Sequence, residues 1–383
     1  MKFFIPTKEL KKKINILSNA LSTNCIVPSL ENYLVEFMDG KLNIISSDFQ
    51  TYIKVSIADI VCENITIKKI CIPAKILNDL IKSLNDDEVE FNINPENFVL
   101  QLKAKSGVYQ LICESASDFP ILKTEINSSH SSFFFNSKKL KNIFSSLIVT
   151  TSNKSELTPS ITGVFFETRS NEIKFTTTDG HRVSMFKIKK SENSENSFSI
   201  ILPKKGVSII SNILSSYDSS VQIETNNFET KMTIEDVEIN IKSMREKNFP
   251  DCSSIIPKNS ETNKIIIIPK KDFLTSLKRI SIFANKSTHY TQMIAENNSL
   301  VIKAKDMDFN IEGEEVVTCN YDNKEKITLG FDVISLAELI ETIDADEIEI
   351  NIKDNNSPCL LQAATSSKSE DKIHLALIMQ MIG

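Results

Sequence analysis

Residues 176–188 read TTTDGHRVSMFKI, and Asp179, His181 and Arg182 set a carboxylate, an imidazole and a guanidinium within four positions around Gly180. These are the residue types of acid–base chemistry, and Ser184 follows as a candidate nucleophile. A hydrolase using Asp179 and His181 would also need a third hydrogen-bonding group and an oxyanion hole. The sequence holds no G-x-S-x-G elbow and no second acid–base cluster. The four histidines, at 130, 181, 289 and 374, are unpaired at ligand spacing. The seven cysteines form no C-x-x-C, which points away from a zinc site or disulfide framework and fits a reducing compartment. The eight glycines stand alone and build no phosphate cradle. No catalytic residue, metal or cofactor is therefore expected. The loop then reads as a surface for a partner, or as a turn that His181 and Arg182 close on itself.

The elements around it must decide. With 383 residues, 41% of them hydrophobic, the chain can fill two or three domain cores. No apolar run approaches the ~20 residues of a membrane span, the longest aliphatic block being IIII at 265–268. MKFFIPTKEL lacks the apolar region of a signal peptide, so a cytoplasmic protein without membrane contact is expected. An internal repeat stands out. FFIPTKEL (3–10), FFFNSKKL (133–140) and IIIPKKDF (266–273) each read as a strand followed by a Lys-rich helix. Pro6 and Pro269 suit a helix start, where a missing N–H is no loss. A second copy of the plan follows each one, in 72–93, 202–224 and 329–352. Six modules of about 65 residues, paired into three domains, are the result. Short alternating segments such as NYLVEFMD, KLNIISSD and TYIKVSIAD predict antiparallel sheets between the helices.

Charge is segregated along this repeat. The predicted helices 8–20, 74–84, 137–147, 204–214 and 270–286 hold sixteen Lys/Arg against Glu9, Asp79 and Asp272, a net +13. The whole chain carries −6, so the remainder carries −19. The sixth helix, 332–345, is acidic. A positive face on equivalent helices is an electrostatic footprint for a polyanion. Only Phe144, Phe273 and Phe283 stand among these basic residues, too few for a run of stacking platforms, so contacts to phosphates without base readout are expected. A scaffold that binds only proteins would not need five such helices in register.

Repeat plan and motifs together resemble the bacterial DNA polymerase III beta subunit family, the sliding clamps. The resemblance runs along the whole chain and is most specific in TTTDGHRVSMFKI, ILPKKGVSII, NFPDCSSIIP, LGFDVISLAELI and LIMQM, with SASDFPIL and VPSLENYLVEF adding to it. It implies an α+β fold of three clamp domains, at 1–127, 128–258 and 259–383, each with two helices against antiparallel sheets. It further implies a head-to-tail homodimer closing as a ring of twelve helices. At ~8–10 Å per helix, twelve helices enclose a hole of about 32–38 Å diameter, enough for a loose duplex. The implied partners are double-stranded DNA without sequence preference, the polymerase III alpha subunit, the clamp loader and other polymerases, the proteins docking by short peptide motifs. The implied peptide cleft takes Ile161, Thr178, Gly180, His181, Arg182, Val183, Pro250 and Ile255, then Pro358, Leu377, Ile378, Met379 and Met381. The implied DNA-facing set is Lys11, Lys12, Lys75, Lys138, Lys141, Lys204, Lys271 and Lys278. The implied subunit contact pairs a strand around Tyr109 and Leu111 with Ile282 and Phe283.

The chain also departs from the family pattern. It ends Met379-Gln380-Met381-Ile382-Gly383 where the family usually has Met-Pro-Met-Arg-Leu, and Asp332-Val333-Ile334-Ser335 replaces an aromatic wall of the cleft. Ser254 stands where the best-known members have Arg, and Asn24 and Thr158 where many members do. A shifted peptide preference and weaker loop contacts to DNA are expected.

Overall fold

The computed structural model describes residues 1–21, 27–38, 40–58, 60, 62, 68–120, 131–153, 158–169, 171–190, 197–245, 248–257, 264–321, 323, 325–364 and 372–382. Asn24, Gly383 and the expected boundaries at 127/128 and 258/259 lie outside these residues. The helices are α1 (Thr7–Leu17), α2 (Ala74–Ser83), α3 (Ser137–Val149), α4 (Lys204–Leu214), α5 (Lys270–Ile280) and α6 (Val333–Thr342). All six lie at the positions predicted from the repeat, and none is long and apolar enough to cross a membrane. The chain divides into two compact units, Met1–Lys141 with Ile209–Ser243 and Asn142–Ser208 with Met244–Gly383.

In the first unit, an antiparallel four-stranded sheet runs Lys2–Pro6, Glu88–Ile93, Val99–Ala104, Gly107–Ile112 in spatial order. An eight-stranded sheet runs Lys69–Pro73, Asn32–Met38, Lys41–Ser47, Thr51–Ile57, Val237–Lys242, Glu229–Ile234, Ser220–Thr225, Ser131–Asn136. Its middle joins two repeats, with Ile53 opposite Ile239 and Val55 opposite Val237.

The second unit repeats the plan. Its eight-stranded sheet runs Phe198–Pro203, Gly163–Arg169, Glu172–Thr178, Arg182–Lys189, Lys372–Ile378, Cys359–Ala363, Glu347–Ile352, Lys264–Pro269. Its four-stranded sheet runs Ile311–Thr318, Ser299–Asp306, Tyr290–Glu296, Ile327–Asp332. The period-2 pattern explains these strands. YTQMIAE buries Thr291, Met293 and Ala295, and SLVIKAKD buries Leu300, Ile302 and Ala304. Those apolar side chains share one core with Phe273 and Leu277 of α5 and Leu336 and Ile340 of α6.

Local chemistry sets the helix starts. Pro6, Pro73 and Pro269 occupy the cap position before α1, α2 and α5, where the fixed φ of proline suits the change from strand to helix. α6 is capped by Asp332, whose Oδ1 accepts the Ile334 and Ser335 amides at 2.9 and 3.1 Å.

Candidate functional site

The DGHR loop connects Glu172–Thr178 to Arg182–Lys189, and Thr178 and Asp179 hold its turn. Gly180 has φ +93°, a left-handed conformation that suits glycine. Asp179 Oδ1 accepts the His181 and Arg182 amides, both at 3.0 Å. The Thr178 hydroxyl donates to the Arg182 carbonyl at 2.8 Å and accepts from the Gly180 amide at 3.1 Å.

Arg182 is buried and works as a clamp. Its Nε donates to Asp179 Oδ2 at 2.8 Å, and Nη1 reaches Glu338 Oε2 at 2.7 Å and the Ser335 carbonyl at 3.1 Å. Nη2 donates to the Val149 carbonyl at 3.1 Å, at the end of α3. Burial opposes the Arg182 charge, but the hydrogen bonds it donates to the Asp179 and Glu338 carboxylates outweigh that and raise its pKa. Ser184 lies fully buried and pairs with His374 Nε2 at 3.0 Å, the His374 ring stacking on Phe186. Its partner is therefore an imidazole 190 residues away in the sequence, not His181.

The segment after the strand Lys372–Ile378 runs against this loop. The Met379 amide donates to the His181 carbonyl at 2.9 Å, and the Met381 amide donates to the Gly330 carbonyl at 2.8 Å. Between them Gln380 Nε2 donates to the Asp354 and Ser357 carbonyls, both at 2.7 Å, which fixes the turn before Pro358. A Cβ at Gly330 would come within 2.3 Å of the Met381 carbonyl oxygen. Glycine there lets the two backbones meet, and an isolated Gly inside an apolar strand pattern is the sequence signal that could have found it.

The segment 248–257 packs beside the same strands. Phe249 stacks on Phe165, with ring centroids 4.9 Å apart. Cys252 joins a small core with Val183, Met185, Leu360 and Leu377, against which Phe249 and Ile256 pack. The expected cleft residues therefore fall into two groups. Val183, Leu377, Ile378, Thr178 and Arg182 are buried. His181, Gly180, Pro250, Ile255 and Met379 are exposed, with Ile161, Pro358 and Met381 half-buried.

The lysines also divide. Lys11 Nζ donates to the carbonyl of Leu84, the residue that closes α2, at 2.5 Å. Lys270 Nζ donates to the carbonyl of Ile343, which closes α6, at 2.5 Å. Lys204 Nζ reaches the Thr151 carbonyl at 3.3 Å, just past α3, and Asn153 Oδ1 at 2.9 Å. A cation at a helix C-terminus satisfies orphan carbonyls and complements the dipole. Burial pulls the Lys204 and Lys270 pKa values down. Lys138 pairs with Asp218 at 2.5 Å and Lys278 with Glu341 at 3.7 Å. Lys12 sits 5.1 Å above the Tyr217 ring. Lys75 and Lys271 are exposed and Lys141 is half-buried. Thr158 is exposed as well.

The residues expected at the subunit contact lie on or beside sheet edges. Tyr109 and Leu111 are on the outer strand Gly107–Ile112, with Leu111 facing inward, while Val108 and Ile112 face out at 59% and 73% exposure. Ile282 is exposed, and the Phe283 ring lies against Gly313 on the outer strand Ile311–Thr318. Val108, Ile112 and Val316 are the outward apolar residues of these outer strands, a set that alternation along an edge strand gives. Among the described residues, no group of three or more His, Cys, Asp or Glu is placed to hold a metal ion.

Comparison with known proteins bears on the family of the whole chain. Residues 1–123, 135–251 and 253–379 match the models for the N-terminal, central and C-terminal domains of the DNA polymerase III beta subunit. The beta sliding clamp of Haemophilus influenzae is 25% identical over 97% of this chain and 98% of its own. That of Rickettsia felis is 23% identical over 96% and 97%. Among solved structures, the DNA polymerase III beta subunit of Pseudomonas aeruginosa has a TM-score of 0.88 at 22% identity, covering both chains fully. That of Thermotoga maritima has a TM-score of 0.85 at 24% identity, covering 100% of this chain and 99% of its own. With family models matched one after another along nearly its whole length, the chain belongs to the DNA polymerase III beta subunit family.

Proposed function

We propose that the chain tethers polymerases and the clamp loader through a peptide cleft in its second compact unit, and holds duplex DNA by encircling it as a head-to-tail homodimer in the cytoplasm. By family it is a sliding clamp, a processivity factor of DNA replication, and a non-catalytic polymerase subunit. The observation that carries the cleft is the pinned segment Met379–Met381. Its backbone is tied to His181 and Gly330, yet Met379 remains 40% exposed next to an exposed His181. An unbranched thioether on a fixed backbone is an adaptable contact for several partners. The departures noted in the sequence support the same design. Gln380 holds the turn before Pro358, and Asp332 caps α6 and accepts the Ser335 hydroxyl at 3.1 Å.

Exposed lysines on α1, α2 and α5 support binding to phosphates without base readout. Retention on DNA then comes from topology, with direct affinity low and falling with salt. Two experiments test the reading. Calorimetry with a short peptide carrying one Gln and spaced Leu and Phe anchors should show a single class of site. Met379→Ala and Met381→Ala should each weaken it about tenfold. His181→Ala should also lower the affinity, and unchanged affinity in all three variants overturns the cleft. Sedimentation at micromolar concentration should give twice 43.1 kDa, and loaded protein should leave circular DNA once it is linearised. A strict monomer, or equal retention on both DNA forms, overturns encirclement.

A further inference from the structure

On the outer part of the eight-stranded sheet in the second unit, two charged side chains are buried together. Glu167 on Gly163–Arg169 lies opposite Lys174 on Glu172–Thr178, and both are 8% exposed. Lys174 Nζ is 2.9 Å from Glu167 Oε2 and donates to the Ser253 hydroxyl at 2.9 Å. Glu167 Oε1 accepts from Arg169 Nε at 3.0 Å. Ser253 belongs to the segment that carries Pro250 and Ile255, and its amide is held by Asp251 Oδ1 at 3.0 Å.

We infer that Lys174 is a positioning residue for the peptide cleft, setting the height of the Pro250–Ile255 wall through Ser253. The inference rests on the cleft reading above. Stability alone gives a poor reason to bury this pair, because apolar residues of the same size do as well or better in such places. What an ion pair adds is a fixed direction. Cross-strand pairing with Glu167 stops the ammonium from following its own flexible stem, so a second donor direction points at one place, the Ser253 hydroxyl. The Phe165–Phe249 stack fixes the start of the segment. Cys252 and Ile256 anchor it apolarly, but such contacts let it slide along the sheet. The lysine contact is the directional one among these.

The test separates holding the fold from placing the wall. Lys174→Met leaves Glu167 buried without its main partner, and should lower both the melting temperature and the peptide affinity. Adding Glu167→Gln removes a buried charge then balanced only by the exposed Arg169, and should restore most of the melting temperature without restoring affinity, since Ser253 stays untethered. Ser253→Ala keeps the ion pair and should leave the melting temperature within a degree or two. It should weaken the Gln/Leu/Phe peptide by about fivefold, the size of one lost hydrogen bond. Ser253→Thr keeps the hydroxyl and should rescue binding. Met379→Ala is the control: if it weakens the peptide while Ser253→Ala and the double variant bind as wild type, the inference fails and the cleft stands. If Met379→Ala has no effect either, the cleft reading itself has failed. Affinity losses that simply track melting temperature across the series also overturn the inference.

Discussion

Replacing Gly330 with alanine places a methyl group where the segment Met379–Met381 passes. The new Cβ would lie 2.3 Å from the Met381 carbonyl oxygen and 2.7 Å from a ring carbon of Tyr290, both inside the closest real contacts. Relief to an ordinary separation of about 3.5 Å requires the segment to withdraw by about 1 Å. The Met381 amide to Gly330 carbonyl bond, now 2.8 Å, would then exceed hydrogen-bonding distance. That loss is worth about 1 kcal/mol. The following residue, Ile382, is 92% exposed, so the segment can swing outward instead of straining the core. Unfolding free energy should fall by only ~1–2 kcal/mol, or about 2–8 °C in melting temperature for a unit of this size. Peptide affinity should fall about tenfold, because both methionines lose their places together. Thermal melts and calorimetric titration on the same preparation measure the two effects. A variant that melts lower but binds the peptide as wild type would refute the idea that this backbone contact places the cleft.

Arg182→Met should lower stability by about 3 kcal/mol, since it strands Asp179 and three other acceptors in a largely buried site. The half-exposed Glu338 adds little to that cost, and urea unfolding reads the total. Charge reversal at the exposed Lys75 and Lys271 should reduce DNA loading and its salt sensitivity with no change in melting temperature. Lys11→Met, Lys204→Met and Lys270→Met should do the reverse, each costing about 1 kcal/mol of stability as a helix end loses its cap. Alkali should destabilise the protein through its buried thiols. Burial raises Cys252 and Cys319 to about 11, and Cys71, Cys113 and Cys359 to about 12, from the ordinary 9.0. The folded thiols keep their protons where unfolded ones lose them. Their stabilisation is thus complete below pH 9 and lost as pH rises through 11–12. Comparing urea midpoints of wild type and Cys252→Ala/Cys319→Ala at pH 8 and pH 10.5 isolates this part, which should shrink the wild-type loss.

The helix positions and the repeat were legible because they depend on local pattern: a strand, a proline, a Lys-rich amphipathic run. The helix 8–20 was expected, and Thr7–Leu17 with a short 3₁₀ turn to Ala20 is observed. The chemistry of the DGHR loop was only half legible. Asp179 and Thr178 act on neighbours two to four residues away, as turn residues do. Arg182 acts on Glu338 and Val149, and nothing in the local sequence names partners at that distance. The lysines were the harder case. Charge pattern marks a cation, but whether its ammonium meets solvent or a carbonyl 73 residues away, as for Lys11 and Lys270, depends on how helices cross. Lys11, Lys204 and Lys270 thereby keep their charge but spend a donor on a helix end.

The order of strands in the sheets has a consequence in time. Arg182–Lys189 takes Lys372–Ile378 as its neighbour, with Arg182 opposite Ile378. A ribosome adding about 5–20 residues each second needs roughly 10–40 s to cover that distance. Throughout that interval the earlier strand has been made and its partner has not, so an edge rich in apolar side chains waits in the crowded cell. Thr51–Ile57 waits similarly for Val237–Lys242. Newly made chains of this kind are thus open to pairing with one another on polysomes, and their need for chaperones should be set by elongation rate more than by final stability.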